Sequence, residues 1–177
     1  MSLGYLLASL PMLAPERAAA ITQEAFISAC ESALNAKDAA AAALLVSGSD
    51  APSTHPYVCQ WRDLEAAIAT AIGQRRLSKR GGNASGAFVP PSTNASPVWL
   101  VRAVAAAFES APDPLAREEA LLRVYWAAAD ELAGFDPVSK GQLFAYAVRL
   151  RLITLKAARD AQTGAARLEA ALPQQTL

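Results

Sequence analysis

The sequence predicts an all-α protein, a multi-helix bundle with a long C-terminal helix. Three observations carry that expectation. Apolar residues make up 53% of the chain and aromatics only 7%, because much of the apolar content is alanine. Alanine loses no side-chain entropy on entering a helix, and its small size suits many closely packed helices. Apolar residues recur at three- and four-residue spacings behind cap signals, and no segment alternates with period two for long enough to demand a sheet.

Residues 3–10 read as a short helix or an extended entry stopped by Pro11. Thr22 is the expected N-cap of the next helix, on which Phe26, Ile27, Cys30 and Leu34 fall at helical spacing. A further short helix is expected from Asp38 to about Val46, followed by the loop Ser47-Gly48-Ser49-Asp50-Ala51-Pro52-Ser53. From about Cys59 to Lys79, Trp61, Leu64, Ile68, Ala71, Ile72 and Arg75 share one face. That helix closes on Arg75, Arg76, Lys79 and Arg80, cations that a helix C-terminus favours, before Gly81-Gly82.

Glycine, proline and small polar residues dominate 81–96, which reads as a flexible loop. It separates an N-terminal helical half, 1–80, from a C-terminal half, 97–177, within one compact domain. Ser96-Pro97 and Asp113-Pro114 are start signals that pair a cap with a proline at the first helical position. The first helix carries Trp99, Val101, Val104, Ala105 and Phe108. The second is expected to turn Leu115, Leu122, Tyr125, Trp126, Ala129 and Leu132 inward and to close at Gly134. Asp136-Pro137 or Ser139 opens the last helix, which reads as running from about Ser139 to Leu172, with Gly164 a place for a bend. Leu143, Tyr146, Leu150, Ile153 and Ala157 form a heptad-like seam on it, with Phe144, Val148, Leu152 and Leu155 beside it. A helix with two apolar stripes buries against two neighbours.

Composition narrows the function. The chain of 177 residues carries 16 basic and 16 acidic residues, so net charge favours neither nucleic acid nor an anionic membrane surface. Two cysteines and one histidine make neither a disulfide framework nor a zinc site, and a reducing cytoplasmic compartment is expected. The apolar N-terminus lacks a preceding basic region, so no secretory signal is expected, and the longest uncharged stretch of high apolarity, Ala39 to Val46, is far below the ~20 residues needed to span a bilayer.

No catalytic constellation is visible. His55 lies in a Ser/Thr/Pro loop without an acidic neighbour in sequence, which reads as a solvated histidine rather than a general base. Glu118 and Glu119 begin a helix, where the macrodipole accounts for them. Cys30 sits on an apolar face as a small hydrophobe. Gly81-Gly82 lacks the Gly-Lys-Ser/Thr ending of a phosphate loop, and no cofactor is expected. The candidate partner contacts are Arg75, Arg76, Lys79 and Arg80 at one helix end, and Arg149 and Lys156 on the last helix. Arg151 and Arg159 stand near them, and Lys156 is spaced to pair with Asp160.

Three segments together resemble a known family: Gly4-Tyr5-Leu6-Leu7-Ala8-Ser9-Leu10-Pro11, Trp61-Arg62-Asp63-Leu64-Glu65 running to Arg75-Arg76-Leu77, and Leu143-Phe144-Ala145-Tyr146-Ala147-Val148-Arg149-Leu150. Their order is similar to that of an uncharacterised family encoded with bacterial V-type ATPases. More distantly, it is similar to the rotor-capping C-subunit of the V/A-type ATP synthase, whose eukaryotic counterpart is the d-subunit. The resemblance implies a non-catalytic subunit or accessory protein that couples the central stalk to the membrane rotor ring. Such a protein sits at the inner face of the cell membrane and reaches it through partners only. The chain is about half as long as an ordinary C-subunit, which has three helical repeats. The alternatives are a stand-alone helical adaptor and an enzyme using His55 or a carboxylate.

Overall fold

The computed structural model describes residues 2–79, 97–111 and 113–158. Seven α-helices and no strand occur among them: α1 Leu3–Ser9, α2 Gln23–Ala33, α3 Ala36–Ser47, α4 Pro56–Lys79, α5 Val98–Ser110, α6 Pro114–Ala133 and α7 Lys140–Ala157. The all-α expectation is met. The 81–96 loop, Arg80, and the continuation of the last helix through 159–172 lie outside the described residues.

The helix starts follow from local capping chemistry. Side chains of Ser2, Thr22, Asp113 and Ser139 each accept a hydrogen bond from the backbone N–H three residues on. Three starts differ from the sequence expectation. α3 begins before Asp38, because Asn35 is its cap and accepts the Asp38 N–H at 2.9 Å. α4 begins at Pro56, since proline fits a first helical position and the His55 carbonyl accepts from Cys59 N–H at 3.0 Å. At α5, Pro97 occupies the cap position itself, and its carbonyl accepts from both Leu100 and Val101. Gly48 and Gly134 end α3 and α6 at positive φ, 68° and 64°, which glycine adopts without a Cβ penalty.

α7 is the central element. It packs on α6 and α3 most extensively and also touches α1 and α2. Both of its apolar stripes are used as far as Ile153: Leu143, Phe144, Val148 and Leu150 are fully buried, whereas Leu155 and Ala157 beyond it are exposed. α4 packs on α5, α6 and α3, so helices from both halves of the chain share one core. Gly141 lets α7 cross tightly over the end of α6, since a Cβ there would lie 2.1 Å from the Leu132 carbonyl oxygen. Tyr146 stacks on Phe26 at 5.4 Å, and its hydroxyl donates to the Pro11 carbonyl at 3.0 Å. That bond ties the α1–α2 linker to α7, and burial pushes the pKa of the phenol up to about 12.

One helix face departs from the sequence expectation. Leu115, expected inside, is 74% exposed, and the buried stripe of α6 is Leu121, Val124, Ala128, Ala129 and Leu132. The inward direction of α6 is therefore set partly by alanines, whose small area weakens the hydrophobic pattern. No helix among the described residues is long and apolar enough to cross a membrane.

Candidate functional site

The turning of Leu115 outward opens a cleft. α4, α6 and α7 enclose a hollow of about 670 Å³. Ile72, Leu121, Leu122, Tyr125 and Leu152 give it an apolar lining. Leu115 on α6 and Leu155 on α7 also line it, and they are 74% and 44% exposed. Along α4 the lining runs from Glu65 to Arg76, about 16 Å at the rise of an α-helix. The volume falls within the ~300–1,000 Å³ usual for ligand-binding hollows.

Charged side chains rim this apolar surface. The Arg151 guanidinium donates to Glu65 at 2.9 Å, across from α7 to α4, and passes over the backbone of Gly48. Lys156 stands 3.8 Å from Glu119 of α6 and also donates to the Pro15 carbonyl at 3.2 Å. Glu118 is likewise engaged within the protein. Arg76 lines the cleft and is exposed; among the described residues its side chain makes no hydrogen bond or ion pair.

The six candidate contacts are thus dispersed. Arg75 pairs with Glu109 of α5. Arg149 pairs with Asp130 of α6, and its guanidinium lies 5.3 Å from the Trp126 ring centre. Lys156 is held as described above. Arg149 and Lys156 therefore bind within the chain instead of standing free on a solvated face. The Lys79 side chain and Arg80 lie outside the described residues, as does Asp160, the expected partner of Lys156. Of the six, Arg76 and Lys156 line the cleft.

His55 is not a solvated loop residue. It is 7% exposed, and its Nε2 lies 3.1 Å from Oδ1 of Asp38, itself 5% exposed. The ring sits against Phe144 and Tyr57, with centroids 5.1 and 6.0 Å away. Asp38 also accepts from Asn35 Nδ2 at 2.7 Å and from Lys140 Nζ at 2.6 Å. Burial alone raises the Asp38 pKa, but the hydrogen bonds from Lys140, His55 and Asn35 outweigh it and hold the carboxyl below its ordinary 3.8. This cluster joins α3, the start of α4 and the first turn of α7. His55 Nδ1 is buried without a partner, so neither ring nitrogen is presented to a substrate in this arrangement.

The remaining chemistry is sparse. Among the described residues no group of three or more His, Cys, Asp or Glu side chains is placed to hold a metal ion. Cys30 is buried and Cys59 exposed, both as free thiols. Burial, assisted by Glu31, pushes the pKa of the Cys30 thiol up to about 12. The cleft escapes a reading of the sequence, although a signal for it is present. Leu115 and Leu122, seven residues apart, form an apolar row on α6 beside the stripe that packs inward. No family model, no curated protein and no solved structure matches the chain.

Proposed function

We propose that this chain is a non-catalytic binding protein whose α4–α6–α7 cleft receives an apolar face of a partner's helix. One observation carries the reading: an apolar hollow of about 670 Å³ whose leucine lips, Leu115 and Leu155, face solvent. A groove walled by helices and extending about three helical turns along α4 suits a helix laid into it, the mode in which residues at i, i+3, i+4 and i+7 act as anchors. Arg76 at the rim then sets register and orientation, and the buried apolar contacts supply most of the affinity.

The partner that the resemblance suggests belongs to a V/A-type rotary ATPase, at the rotor ring or the central stalk, on the cytoplasmic side of the membrane. Its support is the similarity of the three segments quoted above. Their residues Leu6, Trp61, Leu64, Leu143 and Phe144 are core residues, and two of the segments lie on α4 and α7, which wall the cleft together with α6.

The test is purification of tagged full-length chain from gently solubilised native membranes, alongside Leu115→Glu and Leu155→Glu variants. Both positions are exposed, so the variants are expected to fold normally. Recovery of rotary-ATPase components with the native chain, and their loss with both variants, is the expected result. If the variants retain every partner of the native chain, the cleft is not the binding surface. If a cleft-dependent partner is recovered without ATPase components, the chain is an adaptor outside that assembly.

A further inference from the structure

On the reading that the cleft receives a helix, we infer that the partner helix carries an acidic residue at the end that meets Arg76. Six charged residues line the cleft, and five of them are already engaged within the protein. Arg151 holds Glu65, Lys156 faces Glu119, and Glu118 has its own interaction. Arg76 is the cation left over among the described residues. A carboxylate brought in by a partner gives Arg76 a charge-assisted hydrogen bond without breaking an existing pair. A lysine brought to the same place meets like charge at Arg76.

Position makes the inference more specific. Ile72 and Arg76 are four residues apart on α4, so they project from the same face one turn apart. Leu115 on α6 and Leu155 on α7 border the same hollow. A matching helix therefore places aliphatic anchors at i, i+4 and i+7 toward the leucines and Ile72, with an aspartate or glutamate within one turn of the anchor that meets Ile72. The other five rim charges, three carboxylates and two cations, are engaged within the protein, so Arg76 is the rim charge open to a partner and favours an acidic one.

Two synthetic helical peptides of about four turns test this. Both carry leucines at i, i+4 and i+7; one is flanked by glutamates at each end and the other by lysines. Binding is read by fluorescence anisotropy against the native full-length chain, Arg76→Glu, Arg76→Gln and Leu155→Glu, each verified as folded by far-UV circular dichroism. The glutamate-flanked peptide is expected to bind the native chain about three- to fivefold more tightly than the lysine-flanked one. Arg76→Gln should abolish the preference, Arg76→Glu should invert it, and Leu155→Glu should weaken both peptides. Equal binding of the two peptides to the native chain, both lost in Leu155→Glu, overturns the acidic partner and leaves the helix-binding cleft standing. Absence of saturable binding by either peptide overturns the cleft reading and this inference with it.

Discussion

Replacing Asp38 by alanine tests whether the buried cluster around His55 is a structural tie. The carboxylate accepts from Asn35, His55 and Lys140 at 2.6–3.1 Å. Its removal leaves the His55 Nε2 donor buried beside an Nδ1 that already lacks a partner, a penalty of about 1–3 kcal/mol. Loss of the Asn35 bond adds about 1 kcal/mol. The Lys140 side chain is 49% exposed, so solvent screening limits its contribution to less than about 1 kcal/mol. The expected loss for Asp38→Ala is about 3 kcal/mol, or a fall in Tm of about 6–12 °C. Urea unfolding followed by far-UV circular dichroism measures it. Asp38→Asn should lose less, because the amide oxygen still accepts. A cost below about 1 kcal/mol for Asp38→Ala would show that the donors are satisfied by water and that the cluster holds nothing together.

The same residue gives a pH signature whose direction follows from its lowered pKa. A carboxyl with a depressed folded value stabilises the fold fully above its unfolded value, and that contribution disappears as pH falls through the folded one. The stability difference between native chain and Asp38→Asn should therefore hold steady from about pH 6 to about pH 5 and shrink below about pH 4. A difference independent of pH over that range would contradict the charged state assigned to Asp38.

Gly141→Ala should destabilise by about 3 kcal/mol in the same unfolding assay, because the new methyl meets the Leu132 and Ala133 carbonyl oxygens at 2.1 and 2.9 Å. Gly73→Ala is the matched contrast: no atom lies within 4 Å of its Cβ position, and a gain of about 0.5–1 kcal/mol is expected from helix propensity. Thiol titration of the native chain at neutral pH should show Cys59 reacting promptly and Cys30 only after denaturation, since Cys30 is fully buried and its thiol pKa is pushed up to about 12.

What the sequence reveals divides along the range of the interactions concerned. Caps at Thr22 and Asp113 are legible, and Ser139 as one of two candidate openings, because each bond spans three residues. The two apolar stripes of α7 are legible because large residues at a fixed spacing require burial on both sides. The face of α6 is not, because Ala128 and Ala129 share the inward direction with Leu121 and Leu132. The pairing of Asp38 with His55 spans 17 residues and two helices, so no local pattern reports it. The same applies to the cleft: Arg76, Leu115 and Leu155 meet only after α4, α6 and α7 have packed.

The cations of α7 show why charge placement in such a bundle matters more for shape than for stability. Arg149 engages Asp130 of α6, Arg151 engages Glu65 of α4, and Lys156 reaches Glu119 of α6 and the Pro15 carbonyl. Every side chain in these ion pairs is partly exposed, and pairs of that kind contribute at most about 1 kcal/mol each. Their directions are what differ. α7 is tied toward α4, toward α6 and toward the α1–α2 linker, on top of the close crossing at Gly141. The pairs made by Arg151 and Lys156 lie at the cleft, where they fix the separation of its walls before any partner arrives. A groove held at its working width loses less conformational freedom on binding than one that must first be ordered. The charges committed to that geometry are already paired within the chain, so the groups left for a partner, on the proposed helix-binding reading, are the exposed leucines and Arg76.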